Sequence, residues 1–187
     1  MDDMTSAQGG WTCHGCGKKH EEPPLSYGVP LPDALLDIPQ SQWKRRLKVV
    51  DDEVCILDKK HFYIRGNIEI PLKGRREVFG YTVWASLSKT NFERAIVRWG
   101  DRGRTKEPPY FSWVSNNLPG YPPTLNLAAR IHTREPGVRP FIELEPTDHP
   151  LAVEQKMGID MRRVREIAES NLHPDLGEEK PTRPKRP

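Results

Sequence analysis

Two alternating apolar stretches joined by a short charged loop constrain this chain more than any other feature. Phe79, Tyr81, Val83, Ala85 and Leu87 fall on one side of an extended segment, with Thr82, Trp84 and Ser86 on the other. Ile64, Ile68, Ile70 and Leu72 repeat the alternation upstream. Side chains of a strand point alternately to opposite faces, so each stretch predicts a strand with one apolar face. The loop between them, KGRR at 73–76, is too short for a crossover connection and predicts an antiparallel hairpin. Further strands are expected at 54–57, which turns at 58–60 into Phe62, and at 110–114, 125–132 and 139–144.

Helices are fewer and are marked by their end signals. Thr90 and Glu93 form a capping box, Phe92, Ala95, Ile96 and Trp99 share one face, and Gly100 supplies a stop. A second helix is expected to start at Asp148, with Pro150 in its first turn, and to end by Gly158. Asp160 is placed to cap a third, whose apolar face is Met161, Val164, Ile167, Ala168 and Leu172. Strands and helices do not alternate as βαβ units. The expected class is therefore α+β, a mainly antiparallel sheet with about three helices and an N-terminal zinc-knuckle-like segment.

A chain of 187 residues suits one domain, expected at 11–173 between a flexible leader at 1–10 and a disordered charged tail at 174–187. The 19 prolines fall largely in pairs between apolar runs and read as rigid loops. The 29 basic residues are interleaved with 26 acidic ones, for a net charge of +3, so the basic clusters read as solvated surface and not as a nucleic-acid face. No stretch has the form of a signal peptide, and no apolar run approaches the roughly 20 residues of a membrane span. A cytoplasmic protein is expected.

The sharpest chemical motif is TCHGCG at 12–17, in which Cys13 and Cys16 can grip one metal ion from a tight turn. Gly15 and Gly17 allow the backbone angles of such a turn. Two thiolates are half of a tetrahedral zinc site. The candidates to complete it are His20, close enough for a local turn, Cys55 and His61. Cys55 can equally be a small core residue. A three-residue turn at 58–60 would put Cys55 and His61 on one face of their hairpin, and a two-residue turn on opposite faces. Thiol redox chemistry of the thioredoxin kind needs the pair at a helix N-terminus. Here two lysines and then Pro23 and Pro24 follow soon after, leaving no room for a helix.

Two other groups are candidates. Glu143, Glu145, Asp148 and His149 could do acid–base work or hold a metal, or could be an exposed strand edge with an Asp cap. Aromatics surround a polar loop at 116–120, and Trp113, Asn116, Tyr121 and His132 are expected to line a small-molecule or peptide groove. The competing reading makes those aromatics a cover over the sheet.

The whole pattern resembles a bacterial family known as domain of unknown function 2199. The carrying segments are CHGCGKKH at 13–20, Cys55 with HFYIRGNIEIP at 61–71, VWASLSKTNFE at 83–93, PPYFSWVSNNLPGYPPTLNL at 108–127 and IELEPTDHPLAVEQ at 142–155. The resemblance implies a bacterial cytoplasmic protein and a metal site shared through Cys13, Cys16, Cys55, His20 and His61. It brings no catalytic residues. The functional expectation is a binding or interaction module stabilised by structural zinc and contacting a protein partner. The alternatives are a metal-dependent or thiol-based enzyme, and an immunity or regulatory partner of another bacterial protein.

Overall fold

The computed structural model describes residues 10–173, so the expected leader and tail lie outside the described residues except for Gly10. A small ribbon comes first, β1 (Trp11–Thr12) antiparallel to β2 (Lys19–His20). An eight-stranded sheet follows. Its strands in chain order are β3 (Ser26–Gly28), β4 (Leu47–Asp51), β5 (Val54–Leu57), β6 (His61–Pro71), β7 (Val78–Leu87), β8 (Tyr110–Val114), β9 (Ala128–His132) and β10 (Phe141–Leu144). The helices are α1 (Gln40–Arg46), α2 (Lys89–Val97), α3 (Pro150–Met157) and α4 (Met161–Leu172).

The β6–β7 hairpin is the spine, in register from Phe62 opposite Leu87 to Pro71 opposite Val78. Strands pair in the order β3-β7-β8-β9-β10-β6-β5-β4, and because β6 also pairs β7, the five strands from β6 to β10 close into a ring. The ring closes where β10 runs parallel to β6, Phe141 opposite Asn67, with Asn67 N–H donating to Pro140 O at 2.9 Å. Gly66 permits this approach: a Cβ there would sit 2.8 Å from Ile142 Cγ1 and 2.9 Å from Pro140 O. Beyond Phe141, where β10 diverges from β6, Gln155 of α3 takes over the pairing: its amide accepts from Leu144 N–H and donates to Ile142 O, each at 2.8 Å.

The sheet is mixed: most of its strand pairs are antiparallel as expected, but β3–β7 and the closing pair β10–β6 are parallel. Four α-helices lie among the described residues, against the expected three. The extra one, α1, buries no side chain and so leaves no apolar periodicity to read. The α2 cap also shifts. Ser88, not Thr90, is the N-cap, its Oγ accepting from Asn91 N–H at 3.2 Å. At α3 the cap is His149 rather than Asp148, its Nδ1 accepting from Leu151 N–H, while Asp160 caps α4 as expected.

The alternation set out above defines the main core. Phe79, Tyr81, Val83 and Ala85 are buried with Ile64, Ile68 and Ile70 in one cluster, against Phe92 of α2, Leu151 of α3, and Val164 and Ile167 of α4. The opposite face of β5, β6 and β7 is also covered, by a second cluster of Leu35, Ile38, Cys55, Leu57, Tyr63 and Trp84. Among the described residues no helix is long and apolar enough to cross a membrane.

Candidate metal centre

The ribbon is built around its turn. Cys13 N–H donates to Lys18 O and Gly17 N–H to Cys13 O, both at 2.9 Å. Gly17 sits at φ +69°, a left-handed conformation that glycine adopts without steric cost. The turn gathers both thiols, and pairing of β1 with β2 fixes His20 opposite Trp11, whose ring lies 5.3 Å from the imidazole. Cys16 Sγ and His20 Nε2 are 3.3 Å apart. Two ligands on one tetrahedral zinc, at its usual bond lengths, are separated by about 3.5 Å.

A fourth residue arrives from the far end of the domain. His173 follows the last residue of α4, its N–H donating to Glu169 O at 2.9 Å. Its ring centroid lies 6.1 Å from that of His20. One ligand atom from each of Cys13, Cys16, His20 and His173 falls within 4.8 Å of the other three. Cys13 is buried, at 1% exposure, and the other three are partly buried. His173 Nε2 is buried without a hydrogen-bond partner. An unpaired buried polar nitrogen costs about 1–3 kcal/mol, and a metal ion among these four side chains would give it a partner. Two thiolates and two imidazoles are a donor set that suits zinc.

Glu169, one turn before His173, holds the ribbon against α4. Its Oε1 accepts from Trp11 Nε1–H and from His14 N–H, each at 3.0 Å, and lies 3.3 Å from His14 Nδ1. Burial opposes ionisation of this carboxyl, but the hydrogen bonds from the His14 backbone, Trp11 and the His14 ring outweigh it and hold the pKa below the usual carboxylate range.

Cys55 and His61, expected beside the knuckle, are placed elsewhere. The 58–60 turn does have three residues, with Asp58 and Lys59 at positive φ, and the register sets Cys55 opposite Tyr63 and Leu57 opposite His61. Cys55 and His61 therefore share a face, but Cys55 is buried in the second apolar cluster and His61 is exposed at the hairpin end. Burial pushes the Cys55 thiol up to about 12, which keeps it neutral at ordinary pH. His173 takes the position these two were expected to supply. Its only sequence signal is an imidazole directly after an amphipathic helix.

The expected ligand groove is distributed over separate surroundings. Asn116 is fully buried and saturated: its Oδ1 accepts from Trp84 N–H at 2.8 Å, and its Nδ2 donates to Leu31 O and Asp33 Oδ1 at 2.8 and 3.0 Å. Tyr121 donates to Glu154 and lies under the Arg163 guanidinium, tying its loop to α3 and α4. His132 Nε2 lies 2.7 Å from Glu143, and its ring packs 5.7 Å from Phe141. Trp113 remains half-exposed on β8, edge-on to Phe111 at 5.1 Å. Of the acidic group, Glu145 pairs with Arg130 at 2.6 Å and Glu143 with His132, on a solvated outer strand face, while His149 rather than Asp148 caps α3.

These features define a mixed, barrel-like α+β fold in which the first and last described segments meet at a Cys2His2 cluster. The chain belongs to the family described as an uncharacterised protein conserved in bacteria, DUF2199, whose family model matches residues 12–159. The matched span contains Cys13, Cys16 and His20, and His173 lies beyond its end. No curated protein and no solved structure matches the chain.

Proposed function

We propose that this chain is a binding module closed by one structural zinc ion, held by Cys13, Cys16, His20 and His173. The observation that carries this is the convergence of four ligand atoms from the ribbon and the end of α4. Structural zinc sites use four protein ligands, whereas catalytic sites keep a position open for water or substrate. The four-residue set supports the structural role over metal-dependent hydrolysis. The binding role is supported by the outer face of the barrel, where Phe111 and Trp113 stand half-exposed on β8 and Arg130 is opposite Phe111 on β9. Aromatics and arginine are the residues protein interfaces favour, so the partner is read as another protein.

Metal analysis of protein purified without added metal tests the first part. About one zinc per chain is expected, falling sharply in Cys16→Ala and His173→Ala variants. Protein without zinc, whose thermal midpoint is unmoved by a strong chelator, would overturn it. For the second part, Trp113→Ala is expected to abolish recovery of a partner in pulldowns while leaving zinc content unchanged. Recovery of the same partner by wild type and variant would contradict the placement of the surface.

A further inference from the structure

Three features of the cluster bear on its stability toward oxidants. Its two thiols sit in one CxxC turn, so a single disulfide would remove half of the coordination set at once. Cys16 is partly exposed while Cys13 is buried, which sets an order of attack. The third cysteine, Cys55, is buried in the separate apolar cluster with Leu57, Tyr63 and Trp84, away from the other two. It is therefore not placed to compete as the resolving thiol.

We infer that the cluster is a redox-releasable clasp, in which a peroxide converts Cys13 and Cys16 to a disulfide and frees the zinc; this rests on the zinc reading above. Cys16 thiolate attacks one peroxide oxygen, forming an S–O bond as the O–O bond breaks, and the departing hydroxide takes a proton to become water. Cys13 thiolate then attacks the Cys16 sulfur, forming the S–S bond and expelling the second oxygen as hydroxide, which is protonated in turn. The two sulfurs lose two electrons and the peroxide is reduced to two waters. Two imidazoles remain for the ion. The polar links left between the N-terminal segment and α4 are then, among the described residues, the hydrogen bonds to Glu169 and the exposed Arg165–Glu22 pair just past β2.

The test starts from protein whose zinc content has been measured, so that failure to bind zinc at all is seen before peroxide is added. Hydrogen peroxide is titrated in with a chromogenic zinc chelator present. The peptide containing Cys13 and Cys16 is then weighed by mass spectrometry. The expected result is one zinc released for each peroxide consumed, loss of two hydrogens from that peptide, and recovery of zinc binding after treatment with a dithiol and zinc. Faster amide exchange in the ribbon and the last turn of α4 should accompany release. Retention of zinc through several equivalents of peroxide would overturn the inference. So would release accompanied by sulfinic or sulfonic Cys16 without a disulfide, because that loss could not be reversed.

Discussion

Cys13 and Cys55 are both buried thiols, yet their surroundings give them opposite chemistry. Cys13 lies with three other donors, whereas Cys55 faces Tyr63 across β5–β6 and has its ionisation pushed up to about 12 by burial alone. A thiol that stays neutral is a poor nucleophile. Native protein treated with iodoacetamide at neutral pH should therefore leave Cys55 unlabelled, and adding a chelator should expose Cys13 and Cys16 to the reagent. Mass mapping reads the sites, and labelling of Cys55 ahead of the other two would contradict this placement. Sequence reasoning reached Cys13, Cys16 and His20 because their contacts are local and the turn that makes them is written in two glycines. It could not reach His173, because that contact depends on where α4 ends relative to the ribbon. Asn116 reads in the sequence as a ligand group for a related reason. A polar residue in an aromatic, proline-rich loop reads as a binding rim until its partners Leu31 and Asp33, distant in sequence, are known.

The strands of the core were the most legible elements, because each carries its own period. The alternation through β6 and β7 located both strands, their hairpin and the buried face. What alternation cannot express is closure, since the pairing of β10 with β6 joins segments with no shared local signal. Gly66 is the residue through which that closure acts. Gly66→Ala would drive a methyl group into Ile142 and the Pro140 carbonyl, and we expect a loss of about 2 kcal/mol in urea unfolding, typical of overpacking. An unchanged midpoint would mean that β10 is not held against β6 as described. The ribbon and α4 are joined by the Glu169 carboxylate, which bonds Trp11 and His14 on either side of Cys13 and so fixes the loop bearing the two clustered thiols. Glu169→Ala should weaken zinc binding about tenfold in a chelator competition, the lower range for residues that support metal ligands. Because the folded pKa of this carboxyl is lowered, its contribution is complete above the ordinary carboxylate range and is lost as pH falls through the lowered value. The Glu169→Ala variant should thus differ most from wild type near neutrality and converge with it in acid. Equal zinc affinity of the two proteins at pH 7 would remove Glu169 from the account.

For the molecule as a whole, the cluster joins the beginning of the described chain to its end. The ribbon makes few contacts with the main sheet and buries little apolar surface beyond Trp11 and Cys13. Metal coordination can supply what such a short ribbon lacks, since structural zinc contributes about 10–16 kcal/mol in small zinc-binding peptides near neutral pH. The rest of the domain has its own cores and is held independently by the barrel and its helices. Removal of the metal should therefore free the ribbon and the last turn of α4 while the barrel stays folded. The identity of the ligands carries this account, and X-ray absorption spectroscopy of the zinc-loaded protein tests it most directly. Two sulfur ligands at about 2.3 Å and two imidazole nitrogens at about 2.0–2.1 Å are expected, with one nitrogen lost in the His173→Ala variant. A three-sulfur shell, or a His173→Ala spectrum identical to wild type, would contradict it.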